Sequence, residues 1–177
     1  MSTVKESINT REIFAELYEE YMPKVFRYIR YKVNAVQVTE DLTSTVFEKA
    51  LTNFSKFSSD KASFSTWIFS IARNTVIDHY RVRGRRQTVS LEETTDISSG
   101  DLSPEEELLK KEELRKLRVS LSGLSREEQE IISLKFGSEL NNRQIAKMLG
   151  LSESNVGTKL YRAVRKMRDG FQESENE

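Results

Sequence analysis

Five lysine and arginine side chains lie within ten residues near the end of the chain, at positions 159–168. Two short apolar repeats precede this basic run and meet at Gly150. Cations at this density either bind the phosphates of a nucleic acid or form the solvated side of a surface helix. The choice depends on the function of Gly150 and on the elements that carry the basic run.

Gly150 is predicted to end a helix over residues 142–149, because glycine adopts the left-handed backbone conformation at low cost. Ser152 is placed to cap a second helix, so the segment between the helices is a tight turn. Apolar faces on both sides predict a helix-turn-helix, whose second helix enters the DNA major groove. The stripe expected to face the core comprises Val156, Leu160, Val164, Met167 and Phe171.

The second helix leaves polar and basic side chains outside that stripe. Those in its first turns would meet base edges, and those farther along would meet phosphates. The expected base readers are Asn155, Thr158 and Lys159, beside Ser154, and the expected phosphate contacts are Arg162, Arg165 and Lys166. The alternative interpretation is a helical hairpin with a merely solvated basic face.

Composition excludes several other kinds of site. The 177 residues include no cysteine, which rules out disulfides, thiolate metal sites and a cysteine nucleophile. The single histidine, His79, cannot form a histidine cluster, and no convergent carboxylates indicate an enzyme such as a nuclease. No apolar stretch approaches the roughly 18 residues of a membrane span, and the N-terminus lacks a signal-peptide apolar region. We therefore expect a cytoplasmic protein without a metal or cofactor.

The formal net charge of zero hides a segregation of charge along the chain. Residues 66–86 contain five arginines and one aspartate, and residues 87–107 contain seven acids and no base. The basic run at 159–168 is followed by four acids in residues 169–177. Two basic patches separated by an acidic stretch are compatible with a nucleic-acid partner despite the neutral total.

Apolar periodicity predicts helices throughout the ordered part of the chain, hence an all-α fold. The first 33 residues suggest one or two helices, with Pro23 in the first turn of the second. Further helices are expected from about Thr39 and over residues 66–80, with a polar loop at 55–65 between them. The acidic, aperiodic segment 87–103 reads as a flexible linker. We therefore predict two small helical domains, at 10–86 and 104–170.

Three helix boundaries in the second domain have local signatures. Ser103 and Glu106 form a predicted capping box around Pro104, and Ser125 and Glu128 form another. Gly137 is the expected C-cap of the helix that follows Ser125.

The whole pattern resembles the extracytoplasmic-function (ECF) sigma factors of the bacterial sigma-70 family. FAELYEEYMPKVFRYI is similar to their first conserved helices, and TEDLTSTVFEKALTNFSKF to their segment that binds core polymerase. FSTWIFSIARNTVIDHYR resembles the helix that reads the −10 element and melts DNA. LSREEQEIISLKF and IAKMLGLSESNVGTKLYRAVRKMR resemble the −35-reading domain, although Gly157 and Lys159 stand where relatives often carry Lys and Arg. The resemblance covers residues 14–167.

This resemblance implies a promoter-specificity subunit of RNA polymerase and assigns its site residues. Core-polymerase contacts would come from the exposed side of the second helix, at Asp41, Leu42, Val46 and Phe47; Leu42 and Phe47 fit the protein core equally well. The loop at 57–64 beside Trp67 suits a flipped base, although Trp67 alone fits the core better. The implied −10 contacts are Ser58, Lys61, Phe64, Trp67, Arg73, Asn74 and Arg81. Asp78 is expected to orient Arg81 or a backbone group.

The resemblance also implies the partners. They are the core polymerase, through its β′ clamp coiled coil and β flap, and promoter DNA, with an anti-sigma factor as the usual regulator in the family. The linker would thread through the polymerase cleft. No small-molecule substrate and no membrane insertion are expected. The alternative function is a two-domain helix-turn-helix regulator that acts outside polymerase, which would need neither a clamp-binding helix nor a melting helix.

Overall fold

The computed structural model describes residues 2–33, 35–86 and 119–174, and the side chains of residues 11–33, 35–82 and 119–170. These residues form helices, turns and loops without a strand, and they divide into two compact units. The predicted all-α, two-domain fold is confirmed. The predicted linker at 87–103 and the Ser103 capping box lie outside the described residues.

Three helices build the first unit: α1 (Ser2–Lys32), α2 (Val36–Asn53) and α3 (Phe64–Arg86). A short 3-10 turn, Phe54–Lys56, follows α2 and leads into the loop before α3. Each helix packs against the other two through an apolar face. The fully buried side chains of this core include Val25, Tyr28, Ile29, Val46, Ala50, Ile68, Phe69 and Ala72.

Pro23 does not begin a second helix, so that prediction is wrong. It lies inside the continuous helix α1, where a proline removes one backbone hydrogen bond. Apolar residues on both sides, Phe14 before it and Val25 and Ile29 after it, are buried in the same core. Their burial keeps the helix continuous across the missing bond, with the Pro23 ring on the exposed side.

The second unit contains α4 (Arg126–Ile132), α5 (Asn142–Leu149) and α6 (Glu153–Ser174). A π-helical segment, Ser133–Gly137, follows α4, and its last residue is grouped with the first unit. The capping box that opens α4 is confirmed: the Ser125 hydroxyl accepts from the Glu128 amide, and the Glu128 carboxylate accepts from the Ser125 amide. A second box, made by Asn141 and Gln144, opens α5. Gly137 closes the π-helical segment, but it lacks the left-handed conformation of a glycine C-cap.

The turn between α5 and α6 has the predicted form. Gly150 adopts a left-handed conformation, with φ 69° and ψ 32°, and its N–H donates to the Ala146 carbonyl. The Leu151 N–H donates to the same carbonyl at 2.9 Å. The Ser152 hydroxyl accepts from the Asn155 N–H at 3.1 Å and so caps α6. Because α6 packs against both α4 and α5, the turn presents it as the outer helix of a helix-turn-helix.

Among the described side chains, the core-facing stripe of α6 differs from the prediction at one position; the side chain of Phe171 lies outside them. Ala163 is fully buried against Leu124 and Ile132, while Val164 is 43% exposed. A stripe at 156, 160, 163 and 167 follows the helical repeat of 3.6 residues more closely than one through 164. The alanine also lets α4 approach α6 closely, which the larger valine would prevent.

Gly150→Ala should destabilise the second unit by about 1 kcal/mol, because a side chain raises the energy of the left-handed conformation. A Cβ at Gly150 would meet no atom within 4 Å, so the cost comes from the backbone alone. Gly150→Asn should cost less, since asparagine tolerates this conformation. Denaturant-dependent amide exchange of residues 142–170 measures the effect. Trp67, the single tryptophan, reports the first unit as an internal control. Equal losses for both variants would contradict this account of the turn.

Candidate nucleic-acid interface

A pocket of about 340 Å³ lies between α2 and α3 in the first unit. Its wall combines an aromatic ring, Trp67, with two amides, Asn53 and Asn74, and two cations, Lys49 and Lys56. The Lys49 ammonium donates to the Thr75 hydroxyl at 3.1 Å, and the Lys56 ammonium donates to the Asn53 side-chain oxygen at 3.1 Å. A ring for stacking, amides for a base edge and cations for phosphate are the groups that bind a single-stranded nucleotide.

Trp67 belongs to an aromatic cluster that closes one end of the first unit. Its ring centroid lies 5.1 Å from that of Phe57 and 5.5 Å from that of Phe64. The Phe64 ring also meets Tyr21 edge-on at 5.0 Å. Phe64 is therefore buried, and its prediction as a DNA-facing residue is wrong: its ring already fills a packed site. Trp67 is only half-buried, so one side of its ring faces the pocket.

The other predicted −10 residues are spread along the same unit. Asn74 is exposed and lines the pocket, and Arg73 is half-buried beside it on α3. Ser58 and Lys61 lie in the loop, where the Ser58 carbonyl accepts from the Lys61 N–H at 3.1 Å. Arg81 lies about two turns beyond Asn74, and the Asp78 carboxylate contacts it at 3.3 Å, which confirms the predicted pairing.

The face of α2 that was expected to bind core polymerase is composed differently from the prediction. Val46 is fully buried, and Leu42 and Phe47 are 9% and 5% exposed, so these side chains form the core of the bundle. Their assignment to the exposed side of α2 is wrong, and the core alternative holds for Leu42 and Phe47. The apolar residue that α2 does expose is Leu51, at 57%. The same surface carries three exposed acids, Glu40, Asp41 and Glu48.

The outward side of α6 is polar and basic. Ser154, Asn155, Thr158, Arg162 and Arg165 are exposed there, as predicted, and so is Tyr161, at 69%. The Thr158 hydroxyl donates to the Ser154 carbonyl at 3.0 Å. Arg165 shares Asp169 with Arg168, at 3.8 and 3.7 Å. Among the residues that the structure describes, Arg162 forms no ion pair.

Two other cations of α6 point toward α4. The Lys159 ammonium lies 2.7 Å from the Glu127 carboxylate, and the Lys159 side chain is 29% exposed. The Lys166 ammonium donates to both oxygens of Glu128, at 2.9 and 3.0 Å. Both lysines were predicted from the sequence to contact DNA, whereas in the free protein both form ion pairs with acids in the first turn of α4.

Glu128 is an acid with an unusually stable charge. Its side chain is 10% exposed, and both of its oxygens accept hydrogen bonds. The hydrogen bond from Lys166, and then the one from the backbone N–H of Ser125, lower the pKa of Glu128 to about 2. The charged form is therefore favoured in the folded unit at any pH above this value.

Sequence reasoning missed Lys49, Asn53 and Lys56 in the pocket, and Tyr161 on α6. The first three occur at i, i+4 and i+7, a spacing that places them on one side of a helix and that is readable without a structure. Tyr161 follows Leu160 but lies outside the predicted apolar stripe, so the helical repeat alone places it on another side of α6. The partners of Lys159 and Lys166 lie more than 30 positions earlier in the chain, so no local pattern indicates them.

Neither a metal-binding cluster nor a membrane-spanning helix is found among the described residues. Within the described ranges, no group of three or more histidine, cysteine, aspartate or glutamate side chains is arranged to hold a metal ion. His79 packs edge-on against Tyr80 instead. In the same ranges, no helix is both long enough and apolar enough to cross a membrane.

Comparison with known proteins matches both units to one family. Residues 17–86 match the family described as Sigma-70 region 2, and residues 114–167 match Sigma-70, region 4. Together the two matches cover most of each unit.

Individual relatives agree with these matches. The ECF RNA polymerase sigma factor BldN of Streptomyces coelicolor is 34% identical over 154 residues, which are 87% of this chain and 58% of the relative. The chain thus spans little more than half of that protein's length. The ECF RNA polymerase sigma factor SigX of Bacillus subtilis is 29% identical over 164 residues, covering 89% and 82% of the two chains. A solved structure of the sigma factor RpoE from Bartonella quintana, in complex with the anti-sigma factor NepR, has a TM-score of 0.73 at 19% identity. It covers 91% of this chain and 98% of that one, and it supports the fold.

The ion pair of Glu128 should give the second unit a pH-dependent stability. The pKa of Glu128 is lower in the folded unit than the value of about 4.3 in the unfolded chain, so its charge stabilises the fold at pH values above about 4.3. This stabilisation is lost as the pH falls toward 2. Glu128→Gln should therefore lower the free energy of unfolding at neutral pH by about 2 kcal/mol. It should also reduce the fall of this free energy as the pH drops from ~4.5 to ~2. Amide exchange of residues 126–170 across this range measures both.

Glu127→Gln, one position earlier in the same helix, is the matched control. Its ion pair is partly solvated, so the free energy of unfolding should fall by about 1 kcal/mol or less. The decrease of that free energy at acid pH should match that of the wild type. Similar pH profiles for the two variants would show that Glu128 has no special role.

Proposed function

The chain belongs to the sigma-70 family, in its ECF group, and from this premise we propose how it works as a promoter-specificity subunit of bacterial RNA polymerase. The observation that carries the proposal is the pairing, within the first unit, of an acidic helix surface with a nucleotide-sized pocket. We assign the two functions to domains at 10–86 and 104–170, with the acidic segment 87–103 as the linker between them.

Core polymerase binds, in this proposal, to the exposed surface of α2. Asp41 lies there with Glu40, Glu48 and the exposed Leu51. An acidic surface around one apolar side chain suits a basic helical partner such as the β′ clamp coiled coil, because charge sets the register and apolar area adds affinity. The buried residues Leu42, Val46 and Phe47 support this surface from within and do not contact the partner.

DNA opening is assigned to the pocket between α2 and α3. Separating a base pair requires a site that holds the unstacked base. Trp67 would stack on that base, Asn74 would pair with its edge, and Lys49 and Lys56 would hold the neighbouring phosphates. Ser58 and Lys61 of the loop, with Arg73 and Arg81 of α3, extend the basic surface along the same strand.

The −35 element is read by the outward side of α6. Ser154, Asn155 and Thr158 are in its first turns, where the recognition helix of a helix-turn-helix meets base edges. Arg162 and Arg165 lie one and two turns farther along and would contact phosphates. Tyr161, exposed between Thr158 and Arg165 along the helix, is positioned to pack against the DNA backbone or a thymine methyl group.

This function needs no catalytic centre in the chain, because strand opening is driven by binding energy. It is carried out wherever RNA polymerase acts, which in a bacterium is the cytoplasm. The match to a sigma factor solved with an anti-sigma factor supports regulation by such a partner. The alternative of a free-standing regulator leaves the acidic surface of α2 and the pocket beside Asn74 without a purpose.

Asp41→Lys should weaken association with core polymerase by about tenfold, because it reverses one charge of the proposed contact surface. Fluorescence anisotropy of the labelled chain titrated with core polymerase measures the affinity, and Glu12→Lys on α1 is the charge-matched control.

Substitutions at two leucines of α2 distinguish a loss of core binding from a loss of stability. Leu51→Ala should also weaken core association while leaving the thermal stability of the first unit intact, because Leu51 is exposed. Leu42→Ala should do the reverse and destabilise the unit by about 2–4 kcal/mol. Unchanged core affinity for both Asp41→Lys and Leu51→Ala would exclude this surface.

Asn74→Ala should slow promoter opening at least tenfold with core affinity unchanged, because a hydrogen bond to the flipped base is lost. Permanganate reactivity of unpaired thymines, followed in time with the reconstituted holoenzyme, measures opening. Glu16→Ala removes an exposed polar side chain of α1, away from α2 and the pocket, and should have no effect. Normal opening by the Asn74→Ala holoenzyme would remove the pocket from the melting step.

A further inference from the structure

The two adjacent acids of α4, Glu127 and Glu128, bind two lysines of α6 that are seven residues, or two helical turns, apart. The Glu128 pair is built into the fold. Its carboxylate is 10% exposed and accepts from both Lys166 and the Ser125 N–H. The Glu127 pair is different, because its carboxylate is 45% exposed and serves no cap. Only this second pair is open to exchange with an ion from outside.

The exchangeable pair lies at the edge of the DNA-reading surface. Lys159 follows Thr158, an expected base reader, in the chain, yet its ammonium is turned toward α4 and lies 2.7 Å from Glu127. A carboxylate and a DNA phosphate are alternative partners for the same ammonium. While Glu127 holds Lys159, this cation contributes little to phosphate neutralisation, and the carboxylate itself stands near an approaching polyanion.

We propose that Glu127 is a positioning residue that keeps the Lys159 ammonium in an ion pair and away from the DNA phosphates. It thereby limits the salt-dependent, sequence-independent part of the affinity for the −35 element. The inference rests on the proposed role of α6 in −35 recognition. Discrimination then depends mainly on the outward side chains Ser154, Asn155 and Thr158, and non-specific affinity stays low. Of the five cations at 159–168, Arg162, Arg165 and Arg168 remain on the outward or lateral surface.

A double-mutant cycle in the reconstituted holoenzyme tests this. Wild type, Glu127→Gln, Lys159→Met and the double variant are titrated with a promoter fragment and with a fragment whose −35 element is scrambled, at several salt concentrations. Glu127→Gln should bind both fragments more tightly and lower their affinity ratio. Its affinity should also fall about threefold more than that of wild type between 50 and 200 mM salt, as expected for one added phosphate contact. Lys159→Met should abolish this gain in the double variant.

Three outcomes would overturn the proposal. If Glu127→Gln tightens binding equally with Lys159→Met present, the carboxylate acts by its own repulsion. If Lys159→Met alone lowers the salt dependence of the wild-type chain by a full phosphate contact, Lys159 already binds DNA. No effect of Glu127→Gln would also exclude the proposal. Loss of −35 discrimination in the wild-type holoenzyme is a separate result, which would refute the proposed function of α6 and not the role of Glu127. Amide exchange of residues 126–170 checks that each variant is folded.

Discussion

Glu128 is an acid buried at the start of a helix, and the hydrogen bonds that stabilise its charge join α4 to α6. An unpaired carboxylate in that position would be costly, so both oxygens must accept hydrogen bonds. The Ser125 amide provides one, and the Lys166 ammonium reaches both oxygens. The hydrogen bonds from Lys166 hold one edge of α6 against α4. The neighbouring side of α6, with Ser154, Thr158 and Arg162, lies outside this contact and is exposed.

The first unit satisfies a different constraint. Its three helices use almost every apolar residue of α2 for the core, including Leu42, Val46 and Phe47. The exposed surface of α2 is therefore left with acids and a single large apolar side chain, Leu51. On the neighbouring side, Lys49 and Asn53 of α2 and Lys56 of the following 3-10 turn meet Trp67 and Asn74 of α3. One helix thus contributes to two surfaces of opposite charge, which suits a protein that binds both a protein partner and DNA.

Features set by neighbouring residues were predictable from the sequence. The Ser125 capping box, the left-handed Gly150 and the Ser152 cap depend on contacts within four or five positions, and all three are present. The errors concern contacts between distant segments. Pro23 was expected to mark a helix start, but burial on both sides keeps α1 continuous. Val164 was placed in the core, but the close approach of α4 requires the smaller Ala163. The partners of Lys159 and Lys166 become visible only when α4 packs against α6.

The central claim is that this chain gives core polymerase the ability to recognise promoters, and run-off transcription over a library of randomised −35 and −10 elements tests it most directly. Purified core polymerase with the chain should produce transcripts from a restricted subset of templates that share two spaced elements. Core polymerase alone should not. Transcription that is no greater with the chain than without it, or that requires a second sigma factor, would contradict this account and favour a free-standing regulator.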